Sequence, residues 1–329
     1  MRKLLIAAAV LAAGTLTAAG AVLAQGAAAP VYPNKALRLI VPFPPGGGND
    51  ILARTVGQRL AEVVSQQVVV DNRGGAGGAL GATIAAGANP DGYTLFLGSV
   101  GNLAQTPALK ADLPYNPVRD FAPAALVATS AFMLAVNPSV PAKSVQELIA
   151  LAKASPGKLN YASAGAGSSL HMAAELFKYA TGTDMLHVPY KGTGPAMTDL
   201  ISGRVQLVFS TMPPVLPQIK TGKLRALGVT TLKRAAVAPD VPTIAESGVK
   251  GFNVSNWQGI LAPARIPPEV VARINGEVSR ILKLPDVREV LVSQGTTPLA
   301  TGPQETARWL ADERERWTKV VKESGFKLE

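Results

Sequence analysis

The chain has 329 residues, 47% of them hydrophobic and 16% charged, so it can form about two domains and is too apolar to be generally disordered. The absence of cysteine excludes disulfides and thiolate sites, and two histidines are too few for a multi-histidine metal centre, so neither a metal nor a cofactor is expected. The formal net charge of +10 comes from scattered Lys and Arg residues with few aromatic residues among them, which argues against a nucleic-acid partner and favours small anions.

The N-terminal segment has the composition of an export signal. Met1–Lys3 is basic, Leu4–Ala24 is rich in Ala, Leu and Val, and the small Ala24 suits signal peptidase. We therefore predict a cleavable signal peptide over residues 1–24, whose removal lowers the net charge from +10 to +8 because two basic residues are lost. The alternative is an uncleaved membrane anchor, but Gly and Thr residues dilute the hydrophobicity that a spanning helix requires.

Strand-like and helix-like segments alternate after the leader. The pattern predicts strands at Ala36–Phe43, Val68–Asp71 and Tyr93–Leu97, with helices at Asp50–Val64 and Ala79–Ala86 between them. This β-α-β-α-β order predicts a parallel sheet with right-handed crossovers. Ala124–Val136 is a long apolar strand of the kind that could run between two domains.

A second α/β unit follows. Strands are predicted at Leu159–Ser163, Met185–Tyr190, Val205–Phe209 and Leu224–Val229, and helices from Ser144 to about Lys153, at Ser168–Ala180 and at Ala196–Ser202. The chain returns to strand at Trp257–Ala262 and ends in helices at about Pro268–Leu284, Asp286–Gln294 and Pro303–Glu323, with Glu313–Arg316 expected to face solvent. The crossing strand and late return predict two α/β lobes with a ligand cleft between them, the first from residues 25–127 and 252–329 and the second from residues 128–251.

A glycine-rich loop between the first strand and helix is the strongest candidate for ligand contact. Three consecutive glycines let backbone N–H groups approach a ligand, and the helix N-terminus adds a partial positive charge that suits an anion. The alternative is a strand–turn–helix junction in which Asn49 or Asp50 caps the helix. The candidate residues are Phe43, Pro44, Gly46, Gly47, Gly48, Asn49 and Asp50.

A second glycine-rich loop, Asn72–Gly78, resembles a dinucleotide fingerprint only in part. Its third glycine falls at Gly81, one residue late, and the acidic residue expected further on is not clearly placed. The loop is therefore interpreted as a structural turn or as part of an anion pocket, not as a nucleotide site.

The matching loop of the second lobe combines small hydroxyl residues with glycines before a helix. Such a loop offers side-chain and backbone donors to a carboxylate, and it matches neither a Walker loop nor the hydrolase nucleophile elbow. His171 either orients this loop or packs as a core histidine. The candidate residues are Ser163, Ala164, Gly165, Gly167, Ser168, Ser169 and His171.

Three shorter segments follow other strands and could also reach the cleft. Tyr190 and Lys191 end one strand of the second unit, although Lys191 could equally lie on a solvated turn. Ser210 and Thr211 supply hydroxyls after another strand. Ser99 and Asn102 have the corresponding position in the first lobe.

Five motifs in register resemble the substrate-binding proteins of tripartite tricarboxylate transporters, often called Bug proteins. The likeness runs from about Tyr32 to the C-terminus. The motifs are Pro33-Asn-Lys with Leu39-Ile-Val-Pro-Phe-Pro-Pro-Gly-Gly, Val70-Asp-Asn-Arg-Gly-Gly-Ala-Gly-Gly, Asn89-Pro-Asp-Gly-Tyr-Thr-Leu, Tyr161-Ala-Ser-Ala-Gly-Ala-Gly-Ser-Ser-Leu-His and Val188-Pro-Tyr-Lys-Gly.

The resemblance implies a type II-like, two-lobe periplasmic binding protein that works as a monomer. Such a protein closes on a small carboxylate through the loops Phe43–Asp50 and Ser163–Ser169, and delivers it to integral-membrane permease subunits. Family members often carry Asp where this chain has Ser210, so an ammonium partner is missing. That departure favours a di- or tricarboxylate over an amino acid.

Two other functions remain open at this point. One is a solute sensor that feeds a signalling partner, which the sequence does not separate from transport. The other is a periplasmic hydrolase using Ser168 or Ser169 with His171, which is disfavoured because no third orienting group is evident. We therefore expect no catalytic residue.

Overall fold

The computed structural model describes residues 32–326, so the predicted signal peptide lies outside the described residues. Residues 1–34 and the chain from Lys35 onward form two separate units. Of the first unit, only Tyr32–Asn34 are described, and they form neither helix nor strand. Every element named below belongs to the second unit.

The first half of that unit follows the predicted β-α-β-α-β order. A π-helical turn at Gly101–Gln105 separates the third strand from a short helix, and a 3₁₀ turn at Ala76–Gly78 precedes the second helix. The elements are β1 (Leu37–Val41), α1 (Gly48–Val64), β2 (Val68–Asn72), α2 (Ala79–Ala86), β3 (Thr94–Ser99), α3 (Thr106–Leu109) and β4 (Phe121–Val136).

The second half repeats the alternation and then returns. Its elements are α4 (Val145–Ala154), β5 (Asn160–Ser163), α5 (Ser169–Thr181), β6 (Leu186–Pro189), α6 (Thr193–Ile201), β7 (Leu207–Thr211), α7 (Met212–Lys220) and β8 (Arg225–Val229). The returning elements are β9 (Ser255–Pro263), α8 (Pro268–Ile281), α9 (Pro285–Ser293), β10 (Thr296–Pro298) and α10 (Pro303–Ser324).

The long strand β4 joins two sheets. Over Phe121–Ala131 it pairs antiparallel with β9, which also pairs with β3, and the parallel strands β3, β1 and β2 complete this side. Over Phe132–Val136 it pairs antiparallel with β7 and β8, and the parallel strands β7, β5 and β6 extend the other side. We call the side with β1–β3 the first lobe and the side with β5–β8 the second lobe. The two-lobe α/β architecture is confirmed, while the residue boundaries of the lobes stay a prediction.

The parallel pairing positions the candidate loops. Strands β1 and β3 end at one edge of the first lobe, and β5 and β7 end at one edge of the second, as the carboxyl ends of parallel strands must. Loops follow β1 and β5 before the next helix begins, whereas β3 and β7 pass directly into helical residues. The segments that follow these four strands therefore gather at the cleft.

The C-terminal helix α10 corrects one expectation. Glu313 is buried rather than solvent-facing, and it accepts hydrogen bonds from Trp257 Nε1 at 2.9 Å and from Arg316 Nη1 at 3.0 Å. Trp257 and Trp317 are among the largest fully buried side chains. A charged residue inside a polar run of a helix is expected outside, but here the buried indole N–H of Trp257 needs an acceptor.

Helix α7 (Met212–Lys220) is absent from the predicted elements. Two of its three prolines lie in the first turn, where the missing N–H has no intrahelical acceptor, and the third, Pro217, lies inside the helix. Within residues 32–326, no helix is long and apolar enough to cross a bilayer.

Candidate ligand-binding cleft

Four helices begin around one small cavity between the lobes. The helix α1 begins at Gly48 in the first lobe, while α5 begins at Ser169, α6 at Thr193 and α7 after its N-cap Thr211 in the second. The first N–H groups of a helix have no intrahelical acceptor and carry partial positive charge, so this is an arrangement for an anion. The cavity measures about 20 Å³, the space of roughly one water molecule. It is lined by Phe43, Gly47, Gly48, Asn49, Ala164, Ser169, Leu170, Thr193, Thr211 and Asn256.

No charged side chain belongs to that lining, and one hydroxyl in it has no partner. Thr211 is only 7% exposed, yet its Oγ1 has no hydrogen-bond partner among the described residues. Behind the wall, Gln258 donates to Asn49 Oδ1 at 3.1 Å. A buried hydroxyl without a partner is costly in a folded protein, so a polar ligand or water is the expected partner of Thr211.

The carboxylate of Asp50 supports the loop of the first lobe instead of facing the cavity. It accepts hydrogen bonds from the Gly46 N–H at 3.0 Å, from Arg54 Nε at 3.0 Å and from Asn72 Nδ2 at 3.0 Å. Burial raises the pKa of Asp50, but these hydrogen bonds and the Arg54 charge outweigh burial and hold the pKa below its usual value. The helix itself is capped by Gly47 without a side-chain hydrogen bond, so neither Asn49 nor Asp50 is the cap.

Two histidines support the loop of the second lobe. The Nδ1 atom of His171 accepts a hydrogen bond from the Gly167 N–H at 3.0 Å. His187 Nε2 lies 2.6 Å from Ser163 Oγ, which in turn accepts from the Gly165 N–H at 3.1 Å. Ser168 caps α5 by accepting from the backbone N–H of His171.

Burial keeps both imidazoles neutral. It lowers the pKa of His171 to about 3, with further lowering by the charges of His187 and Lys178. Burial also lowers the pKa of His187 to about 4. The charge of Glu175 raises this pKa and the charge of Lys178 lowers it, but burial has the largest effect. Both rings are therefore free to accept hydrogen bonds at neutral pH.

The two lobes meet directly around the cavity. Thr106 Oγ1 of the first lobe donates to the Gly167 carbonyl of the second at 2.9 Å. Gly77 lies so close to the same loop that a Cβ on it would be 2.4 Å from the Ala166 carbonyl oxygen, and its φ of +64° is one that glycine favours. A Cβ on Gly48 would be 2.6 Å from Thr211 Oγ1. Glycine at these places lets the backbones of the two lobes come together.

The predicted site residues fall into three groups according to where they lie relative to the cavity wall. The cavity wall contains Phe43, Gly47, Gly48, Asn49, Ala164, Ser169 and Thr211. The chain segments that form the wall also contain residues that are not part of it, namely Pro44, Gly46, Asp50, Ser163, Gly165, Gly167, Ser168 and His171. Outside the wall lie Ser99, Asn102, Tyr190, Lys191 and Ser210.

The residues outside the wall have other partners or face solvent. Ser99 and Asn102 hydrogen bond each other, and Ser210 Oγ donates to the Thr211 carbonyl at 3.0 Å. The Tyr190 hydroxyl donates to Asp199 at 2.7 Å, and burial together with that carboxylate raises the pKa of Tyr190 to about 12. Lys191 is exposed.

Sequence reasoning missed three residues of the cavity wall and one residue that supports the second-lobe loop. Leu170 and Thr193 are first-turn residues of α5 and α6, and a helix start placed three residues earlier would have included Thr193. Asn256 comes from the returning strand β9, and no local motif marks it. His187 was predicted only as part of the strand Met185–Tyr190, although it supports the second-lobe loop.

The serine and histidine of the second-lobe loop do not form a catalytic pair. Ser168 Oγ accepts from the His171 backbone, and the His171 Nδ1 atom is occupied by the Gly167 N–H. Among residues 32–326, no group of three or more acidic or histidine side chains is arranged to hold a metal ion.

Two α/β lobes that meet over a polar cavity define the fold of periplasmic binding proteins. The chain belongs to the tripartite tricarboxylate transporter receptor family (TctC), whose profile matches residues 52–326, and the resemblance inferred from the motifs is confirmed. It is 40% identical over 308 residues to Protein BugT of Bordetella pertussis, covering 92% of this chain and 94% of that one.

Two solved structures with named ligands are close in fold. R. palustris Rpa4515 with adipate matches with a TM-score of 0.87 and 37% identity, over 89% of this chain and 98% of that one. MatC (Rpa3494) from Rhodopseudomonas palustris with bound malate matches with a TM-score of 0.85 and 34% identity, over 88% and 100% of the two chains.

Proposed function

We propose that this protein is exported to the periplasm, where it captures a small di- or tricarboxylate by closure of the cleft and delivers it to membrane permease subunits. The observation that carries the proposal is the meeting of four helix N-termini at a cavity whose Thr211 hydroxyl lacks a partner. The acids bound by two family members, adipate and malate, support the substrate class. Delivery to a permease and a monomeric state rest on the family alone.

Recognition in this site is electrostatic and uses neutral groups. One carboxylate would accept hydrogen bonds from first-turn N–H groups of α1 and α5, and a hydroxyl such as that of Thr211 or Thr193 would contribute from the other helices. Each hydrogen bond to a charged group is worth roughly 1.5–3 kcal/mol, so several of them offset the cost of closure and give a dissociation constant on the order of micromolar. Because donors come from both lobes, the ligand favours the closed state.

The lining also favours plain acids over amino acids. An ammonium group needs an acceptor with negative charge, and the wall contains no acidic side chain. The nearby carboxylate of Asp50 already accepts three hydrogen bonds from the protein. A bound amino acid would therefore leave its ammonium group poorly solvated, which is costly in a closed cleft.

Calorimetric titration of the refolded, ligand-free mature chain tests the proposal. Adipate, malate, citrate, aspartate and glutamate form the panel, and we expect one or more of the plain acids to bind at least about tenfold more tightly than either amino acid. Thr211→Val should weaken that binding by about tenfold, because it removes the unpaired hydroxyl while keeping the shape. Thr297→Val, an exposed strand threonine, is the matched control and should bind like the wild type.

Two results would overturn the proposal. Failure of every acid in the panel to bind would remove the small carboxylate as ligand. Tight binding of aspartate or glutamate alone would show that the cleft supplies an ammonium partner, contrary to the lining described above.

A further inference from the structure

We propose that His171 and His187 form a positioning pair that holds the 163–168 loop of the second lobe in the shape that receives the first lobe. This inference rests on the proposed function, since it explains how the cleft closes on its ligand. The two rings are stacked, with centroids 3.8 Å apart and an interplanar angle of 10°. His187 is hydrogen bonded to Ser163 at the start of the loop, and His171 to Gly167 near its end. Stacking of the two rings therefore fixes the distance between the two ends of the loop.

The hydrogen bonds require His171 to act as an acceptor and allow His187 to do the same. His171 Nδ1 accepts from the Gly167 N–H, so its proton is on Nε2, on the side of Glu175. Ser163 is fully buried and its Oγ already accepts from the Gly165 N–H, so its own hydrogen is best donated to His187 Nε2. Protonation of His171 Nδ1 would break its bond to the Gly167 N–H, whereas a protonated His187 Nε2 would donate to Ser163 Oγ instead.

The surroundings fix the pair in place. Tyr161 stacks on His187 with centroids 5.0 Å apart and donates its hydroxyl to Glu175, which also accepts from Lys178 at 2.8 Å. Phe326, after the end of α10, packs edge-on against His171 with centroids 5.3 Å apart. The pair is thus held by β5, α5, β6 and the C-terminal segment, outside the cavity wall.

Gly167 links the pair to closure. Its N–H is held by His171, and its carbonyl accepts from Thr106 of the first lobe at 2.9 Å. If the histidine sets the orientation of this glycine, the Thr106 hydrogen bond forms only when the pair is intact. His171 should therefore affect ligand affinity through Thr106, although neither residue belongs to the cavity wall.

A double-mutant cycle tests this coupling. The variants are His171→Leu, which removes the acceptor, Thr106→Val, which removes the donor, and the double variant, each titrated with the tightest acid of the panel. We expect each single change to weaken binding about tenfold and the double change to weaken it no further. His171→Asn keeps an acceptor near the position of Nδ1 and should bind within about threefold of the wild type. The proposal would be overturned if the double variant lost affinity by the product of the two single losses, or if His171→Leu bound the acid like the wild type.

A ligand-independent measurement separates this inference from the proposed function. Amide hydrogen exchange over residues 160–172 is compared between His171→Leu and His171→Asn, at equal fractions folded. We expect exchange about tenfold faster in His171→Leu, because Gly167 loses its acceptor. Equal exchange would refute the positioning pair even if the acids bind. Failure of all acids to bind the wild type would instead refute the proposed function, leaving this comparison to decide on the pair.

Discussion

At the scale of single residues, the cleft depends on glycines whose missing side chains let the lobes touch. Gly77→Ala places a Cβ 2.4 Å from the Ala166 carbonyl oxygen, and backbone is harder to displace than a flexible side chain. We expect the ligand affinity to fall at least about tenfold, because the closed cleft must reopen to relieve this contact. Calorimetric titration of the variant with the tightest acid measures the loss.

The backbone strain at Gly77 needs a matched control. Gly222 has a φ of +71° and open space around its Cβ position, so Gly222→Ala adds similar strain without a clash. Both variants should lose about 1 kcal/mol of stability, but only Gly77→Ala should lose affinity. Equal affinities in the two variants would mean that the lobes tolerate a side chain at Gly77.

The residues of the site were predictable only in part from the sequence. Gly47, Gly48 and Ser169 lie in strand–loop–helix motifs, whose chemistry is local and visible in order along the chain. Asn256 reaches the wall because β9 inserts between β3 and β4, a pairing across more than a hundred residues that no local pattern encodes. No local pattern marks Thr106 either, because its partner Gly167 lies 61 residues away in the other lobe.

At the scale of elements, α10 is attached to the sheet by a buried polar contact. Glu313→Ala leaves the Trp257 indole N–H without its acceptor and Arg316 without its carboxylate partner. We therefore expect a loss of about 2 kcal/mol in the free energy of unfolding. Glu315→Ala, on the exposed side of the same helix, should change stability by less than about 0.5 kcal/mol. Urea unfolding of both variants provides the comparison, and equal losses would contradict the buried role of Glu313.

The elements also show where sequence patterns mislead. A polar run such as Glu313–Arg316 predicts an outward helix face because periodicity reports average polarity, whereas the buried partner Trp257 lies on a distant strand. No helix was predicted at Met212–Lys220, where two prolines lie in the first turn, which tolerates proline, and Pro217 lies inside the helix. Strands and helices with strong apolar periodicity, such as β1 and α8, were predicted to within a few residues.

The junction of α5 and β6 makes stability depend on pH. Unfolded histidine takes up a proton near pH 6.5, while His171 and His187 resist protonation in the folded state until about pH 3 and 4. The unfolded state therefore binds more protons between about pH 6.5 and 4, and stability is lost as the pH falls through this window. From pH 7 to 5 we expect a loss of about 2 kcal/mol in the free energy of unfolding from His171, and a smaller loss from His187, which is less completely buried.

Urea unfolding at pH 7, 6 and 5 measures this dependence. The charged groups lining the space around the pair are Glu175, Lys178 and Asp184. His187→Gln keeps a hydrogen-bonding group near Nε2 but removes one group that takes up a proton, so stability should fall less steeply between pH 7 and 5 than in the wild type. A wild-type stability that stays constant from pH 7 to 5 would contradict the neutral buried pair.

At the scale of the whole molecule, the net charge should affect how fast the ligand associates, whereas neutral dipoles in the cleft should determine how slowly it dissociates. The chain carries a formal net charge of +10, or +8 after removal of the predicted signal peptide, and this charge attracts anions over a distance that salt shortens. Inside the cleft, the wall has no charged side chain, and the donors are helix N–H groups and hydroxyls that bound ions do not screen. The association rate and the dissociation rate should therefore respond differently to salt.

Stopped-flow kinetics with the tightest acid tests this separation. Between about 20 and 500 mM NaCl, we expect the association rate constant to fall several-fold, because screening weakens the attraction between a dianion and a basic protein. The dissociation rate constant should change by less than about twofold, since the interactions that hold the ligand lie inside the closed cleft. A dissociation rate that rises steeply with salt would mean that a Lys or Arg side chain reaches the ligand, and recognition by neutral helix termini would then be wrong.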